Sequence, residues 1–374
     1  MRLALCGNVF PADTPAAVCA ALRGPVQELA TRLREQGWPG EPGFGLYLAH
    51  RTAREFRRDP ARMAKLRAAL ARAGVSVWTA NAFPFGGFHG ARVKEQAFQP
   101  DWRSTERLQF TLDVAEVLAE VAPGEGVRSV STCPLGYGPD AVRSARTVEH
   151  LRRVQEAFVD LEARTGQHFV LAIEPEPDGG FERVVELATW IAERLPDADR
   201  IGVCWDLCHS AVVGETAEDV LATLQETGVP VGKVQVSAAL AVRDRLGPAA
   251  AARLAAFADD PYLHQVRGRD REGRPVAWSD LPRLLARDPL PEVEDLRVHC
   301  HVPLHHDDYG DGLTPTPWRA ALAAAAAAGI RDFEVETYTL PVLPAALRAD
   351  GMVATMAAEM LACGSALGLV DADS

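Results

Sequence analysis

The 374-residue sequence predicts an α/β chain closed into a single (β/α)8 barrel, and three observations carry that prediction. Eight short apolar runs alternate with amphipathic stretches of roughly 10–20 residues, the pattern of parallel βαβ units. Eight is the number of strands that such a barrel needs to close. Residues able to bind metal or move protons gather at the carboxyl ends of the later runs, where barrels of this kind keep their reacting groups.

The elements follow in order. Leu3–Val9 reads as the first strand, and Pro15–Glu35, rich in Ala, Leu and Arg, as the first helix. Phe44–His50 precedes a helix over Thr52–Ala73, and Val75–Phe83 leads into a long loop, Pro84–Arg103. A helix over Ser104–Val121 is followed by strand Val127–Cys133, helix Ala141–Arg164, strand Phe169–Glu174 and helix Phe181–Leu195. Strands Ile201–Asp206 and Val231–Ser237 flank helix Ala217–Thr227, and the last unit is helix Trp318–Ala328 with strand Asp332–Thr339. Residues 247–304 exceed this count. They contain two further strand-like pieces, Tyr262–Arg267 and Arg297–Val302, and are expected to form an insertion arching over the barrel mouth. No linker, repeat or low-complexity segment divides residues 1–374, which are expected to form one domain with a small, polar, frayed tail over 364–374.

Composition narrows the function. Lys and Arg number 39 against 51 Asp and Glu, a net charge of −12 that argues against nucleic acid or an anionic membrane as partner. No apolar run approaches the ~20 residues needed to span a bilayer. One Arg precedes Leu3–Phe10, which Gly7 and Asn8 interrupt, and no cleavage-site pattern follows, so no signal peptide is expected. The 7 cysteines are odd in number and lack a C-x-x-C pair, which favours reduced thiols and a cytoplasmic location.

The fifth strand ends Glu174-Pro175-Glu176, the sixth Asp206-Leu207-Cys208-His209, and the eighth Glu334-Val335-Glu336; the seventh carries Lys233 and Gln235. Each group follows apolar residues, so its carboxylates stand where a buried strand emerges. Taken singly, Glu174 could cap a helix, Asp206 and His209 could form a local turn, and Gln235 could be a satisfied core amide. Taken together, three carboxylates in one mouth repel strongly without a cation. Oxygen-rich ligation favours Mg²⁺ or Mn²⁺, and added imidazole admits Zn²⁺ or Fe²⁺. His299 and His301 alternate and so share a face, which places them as further ligands or acid–base groups. The loop Asn81–Gly90, aromatic and glycine-rich, followed by Arg92 and Lys94, is expected to cover the pocket, with His89 and Lys94 toward the ligand. No phosphate-binding glycine fingerprint and no G-x-S-x-G elbow occur.

This set of strand ends resembles the xylose isomerase-like barrel superfamily, which contains sugar isomerases and epimerases and endonuclease IV-type repair enzymes. Asn81–Gly90, Val93-Lys94-Glu95, Pro100-Asp101-Trp102, Ala172–Pro177, Gly202–His209, Gly232–Leu240, Tyr262–Val266, Val298–Pro303 and Val335–Thr339 are similar to one branch, the metabolite-traffic protein EboE family. The resemblance implies metal ligation by Glu174, Asp206 and Glu336, with His209 beside them. Gln235 stands where many members place a metal-binding His, which leaves Gln235 itself, His301 or His264 as the fourth ligand. It further implies one divalent metal (Mn, Mg, Zn or Fe), a small polyhydroxylated substrate, catalytic roles for Glu174 and Glu336, and partners among the proteins of a metabolite-traffic operon. The alternative is a non-catalytic carrier of a precursor in the same pocket. A Schiff-base role for Lys233 ranks below both, because Lys233 lies early on its strand, beneath Gln235.

Overall fold

The computed structural model describes residues 1–11, 13–87, 94–122, 124, 126–258 and 262–371, with only the backbone of Lys94. Thirteen strands are present among the described residues. The first seven are β1 (Arg2–Cys6), β2 (Gly43–Tyr47), β3 (Thr79–Asn81), β4 (Val127–Thr132), β5 (His168–Ile173), β6 (Ile201–Asp206) and β7 (Val231–Val236). Five more, β8 (Leu240–Val242), β9 (Val266–Arg269), β10 (Pro275–Trp278), β11 (Glu294–Val298) and β12 (Leu313–Pro315), precede the last, β13 (Asp332–Val335).

β1–β7 and β13 form a closed parallel barrel, in the order β1-β13-β7-β6-β5-β4-β3-β2. The seam pairs Arg2–Leu5 with Asp332–Val335, and an Arg2–Asp332 ion pair of 2.7 Å marks its lower end. Strands paired on both edges and covered by helices have no wet face, which is why their sequences are nearly continuous apolar runs. All eight expected barrel strands are present.

Some boundaries differ from the sequence expectation for local reasons. The expected helix over Thr52–Ala73 is two helices, His50–Arg58 and Pro60–Ala73. Asp59 caps the second through the amides of Ala61 and Arg62, and Pro60 occupies its first turn, where no N–H is needed. Pro25 likewise interrupts the first helix with a short π turn over Leu22–Val26. A final helix, Met352–Ala366, was not expected; it packs on β1 and on the helix Gln27–Glu35, with Cys363 and Leu367 buried.

The insertion is larger than residues 247–304. β8–β12 form a separate antiparallel sheet, in the order β10-β9-β11-β8-β12, so the excursion runs from Leu240 to Pro315. It leaves the barrel directly after β7 and returns before the helix Trp318–Ala327, and therefore stands at the carboxyl ends of the strands. Its residues Tyr262, Leu263, His299 and His301 line the same cavity as Glu174 and Glu336, so it roofs the mouth as the sequence suggests.

Candidate metal centre

The cavity holds about 630 Å³ including its open mouth, a volume suited to a small metabolite. Its floor carries Asn8, Glu174, His209 and Glu336; its walls carry Tyr47, Phe83, Phe98, Tyr262 and Tyr338. Arg107 holds the wall loop at both ends, donating to the carbonyls of Ala82 at 2.8 Å, Phe83 at 2.5 Å and Pro100 at 2.8 Å. Phe83 and Phe98 then meet edge to face, their centroids 5.4 Å apart. This part of the expected loop does line the pocket; His89 and the Lys94 side chain lie outside the described residues.

Glu174, Asp206 and Glu336 converge from the ends of β5, β6 and β13. One oxygen of each lies within 4.8 Å of the others, and all three groups are buried. Asp206 Oδ1 accepts from the His209 amide and from Ser237 Oγ, both at 2.8 Å, so that oxygen is fixed and Oδ2 is left facing inward without a partner. Glu336 Oε1 accepts from Asn8 Nδ2 at 2.6 Å. Burial first, and then Glu336 and Asp206, push the Glu174 carboxyl well above its ordinary range. Burial, then Asp206 and Glu334, push Glu336 up to about 8.

The residues present fit a divalent cation. Glu174 Oε2, Asp206 Oδ2, His301 Nε2 and both amide atoms of Gln235 are buried with no hydrogen-bond partner, an arrangement that costs free energy unless something binds them. His301 donates from Nδ1 to the Glu336 carbonyl at 2.9 Å, which leaves Nε2 bare and 4.0 Å from Asp206 Oδ2. Of the three residues considered for a fourth ligand, His301 thus presents a free nitrogen beside the carboxylates. Gln235 lies in register with Asp206 and with Glu334. His264 is turned away, its Nδ1 donating to the His299 carbonyl, and it joins no metal-competent cluster among the described residues.

Below the ring, Lys233 and Glu334 form a fully buried ion pair. A side chain at Gly45 would run into the Glu334 carboxylate, so glycine there leaves room for the pair. Lys233 is locked in this pair and faces no ligand. Its charge also offsets part of the carboxylate repulsion at Glu174 and Glu336.

Two residues near the centre were noted in the sequence without a definite role. Glu176 was read in the group that ends the fifth strand, and His299 was placed with His301 as a further ligand or acid–base group. In the structure both line the cavity and cluster with His209. Only the long-range partner of His299, Gln265, gives that ring its orientation, and no local spacing announces it.

The pattern of the xylose isomerase-like TIM barrel family matches residues 42–355. The chain belongs to this family. A search of curated proteins gives no match. Among solved structures, this xylose isomerase-like barrel is similar to a protein from Anabaena variabilis provisionally assigned as a sugar phosphate isomerase/epimerase, with 13% identity, TM-score 0.54 and 96% of each chain covered. It is also similar to the IolI protein with a bound zinc atom, at 12% identity and TM-score 0.51 over 98% of each chain. A third relative is a xylose isomerase-like barrel protein from Mycobacterium smegmatis in complex with magnesium, at 14% identity and TM-score 0.50, covering 98% of this chain and 97% of that one. At these identities the likeness establishes the fold.

Proposed function

We propose that this chain is a divalent-metal-dependent isomerase or epimerase acting on a small polyhydroxylated metabolite, of the metabolite-traffic, EboE-like type. The observation that carries the reading is the buried trio Glu174, Asp206 and Glu336, whose oxygens converge within 4.8 Å of one another, with Glu174 Oε2 and Asp206 Oδ2 unpartnered, in an aromatic-walled cavity. Metal-bound relatives of the same fold, one with zinc and one with magnesium, support it.

Glu174, Asp206, Glu336 and His301 would hold the cation, with Gln235 and His209 beside it; Mn²⁺, Mg²⁺, Zn²⁺ and Fe²⁺ are the candidates. Bound there, the cation supplies Lewis-acid polarisation of a substrate oxygen. The chain's own groups do the rest. Glu174 and Glu336 project from strands three places apart around the barrel, so each reaches a different side of a substrate between them. One takes a carbon-bound proton and the other returns it, a role worth roughly 10²–10⁴ in rate for each positioned group. Asn8 orients Glu336 through its 2.6 Å hydrogen bond. The walls exclude water, and His89 and Lys94 are assigned to substrate contact.

The test is proton exchange. In D₂O with Mn²⁺, a panel of ketoses, aldoses and polyols should include one whose carbon-bound hydrogen exchanges by NMR with the wild type and not with Glu174→Gln or Glu336→Gln. Gln235, at the position where the resemblance places a histidine ligand, favours the carrier reading. Saturable binding of a metabolite with no exchange would establish that reading in place of catalysis.

A further inference from the structure

Across the barrel from Glu174 and Asp206, the ends of β1, β2 and β3 place Asn8, Tyr47 and Asn81 on the cavity wall. Cys6 pairs with Gly45 and Tyr47 with Asn81, so Asn8, two residues past Cys6, stands near the level of the other two. Both asparagines are tied by one amide atom and present the other. Asn8 donates from Nδ2 to Glu336 Oε1 at 2.6 Å, and its Oδ1 is buried without a partner. Asn81 is held the opposite way, its Oδ1 accepting from the Phe83 amide at 2.8 Å. A backbone N–H can only donate, so this contact fixes which atom is the oxygen and leaves Nδ2 to donate.

The wall therefore offers an acceptor at Asn8 and a donor at Asn81, and a ligand that seals the cavity must meet both or leave them unsatisfied. A hydroxyl group both donates and accepts, so neighbouring hydroxyls of one molecule answer the pair. An ionised phosphate monoester only accepts. It would stand against Asn8 Oδ1 and against Glu174, Glu176 and Glu336, which line the same cavity. Among the described residues no Lys or Arg lines it. The cations behind its walls are engaged elsewhere: Arg107 on the carbonyls of Ala82, Phe83 and Pro100, Lys233 on Glu334, and Arg267 on Asp178 and Glu182.

We propose that Asn8 and Asn81 are specificity-determining residues that read free hydroxyls, and that the cavity takes a neutral, unphosphorylated polyol. The inference rests on the polyol reading given above and narrows it. A site built around a hydroxyl rejects an analogue that lacks it, because its own polar groups are then left unpaired.

The experiment is calorimetry with D-xylulose, D-ribulose, D-fructose, D-glucose and myo-inositol, each beside its phosphate monoester, with Mn²⁺ and without it. At least one free polyol should bind the wild type, and its monoester should bind about 10-fold or more weakly. Asn81→Asp is nearly isosteric and keeps the oxygen that accepts from Phe83, but turns the donor into an acceptor. It should weaken the tightest polyol about 10-fold or more, as should Asn8→Ala. One monodeoxy analogue of that polyol should already be weak in the wild type and lose little further in Asn81→Asp, a coupling that a merely structural role would not produce. A monoester that binds as tightly as its free polyol overturns the proposal, as does the absence of binding by every free polyol. Equal losses from Asn81→Asp for the parent and for all its monodeoxy analogues overturn it too. Should the variants fail to fold, the comparison of polyol with monoester in the wild type decides. Rejection of the monoester with no proton exchange in D₂O keeps this proposal and removes the isomerase reading, whereas exchange on a phosphate monoester keeps that reading and overturns this one.

Discussion

Glu359 ties the last helix to the rim of the site, and its protonation should set a pH dependence of stability that can be isolated. Its Oε1 accepts from Thr337 Oγ1 at 2.6 Å and from the Leu304 amide at 3.1 Å, joining the residue after Glu336 to the returning end of the insertion. Burial pushes its carboxyl from 4.5 up to about 7 against those two hydrogen bonds, while Oε2 has no partner. A carboxyl whose pKa rises on folding binds more protons in the folded state, so its contribution is fully present below pH 4.5 and is lost as pH rises through about 7. That difference corresponds to roughly 3 kcal/mol, lost at up to about 1.4 kcal/mol per pH unit. Glu359→Gln keeps the accepting oxygen and removes the titration. Melting of the metal-free wild type and the Gln variant between pH 5 and 8.5 should show the variant gaining about 2.5 kcal/mol on the wild type across that range. A difference that stays constant with pH would show that Glu359 does not titrate differently in the folded and unfolded chain.

Other outcomes follow from the same geometry. Because Glu174 and Glu336 are held above their ordinary range in the metal-free site, Mn²⁺ binding should release protons and tighten as pH rises through about 8, as read by calorimetry in two buffers of different ionisation enthalpy. Lys233→Met leaves Glu334 buried and unpaired and should cost about 3–5 kcal/mol by denaturant unfolding; a variant as stable as the wild type would contradict the pair. Gly45→Ala drives a methyl into Glu334 and should lower the melting temperature sharply, a loss that Gly45→Ala combined with Glu334→Ala should partly restore. His89→Ala and Lys94→Ala should each weaken binding of the substrate found by exchange; unchanged affinity in both would remove the loop from the recognition surface.

The barrel was legible because each of its strands is paired and covered on both sides, so apolar runs such as Phe169–Ile173 and Ile201–Trp205 stand out. The carboxylate ring was legible for a related reason: Glu174, Asp206 and Glu336 are charges placed abruptly at the ends of those runs. The insertion was less so. Its strands are 3–5 residues long, and β10 alternates exposed with half-buried positions, so its outer pieces look like loop. The break at Asp59-Pro60 was legible in principle, since an Asp before a Pro is a helix start. Lys233 and Glu334 are 101 residues apart, and His299 and Gln265 are 34 apart. Such pairings arise only when the sheet closes or the insertion folds over it, and no periodicity along the chain encodes them.

Whether Glu174, Asp206 and Glu336 together bind one divalent cation is read by anomalous scattering from crystals soaked in Mn²⁺. A manganese peak is expected within coordination distance of all three carboxylates, with His301 Nε2 turned toward it. A map with no peak among those carboxylates at saturating Mn²⁺ would contradict it.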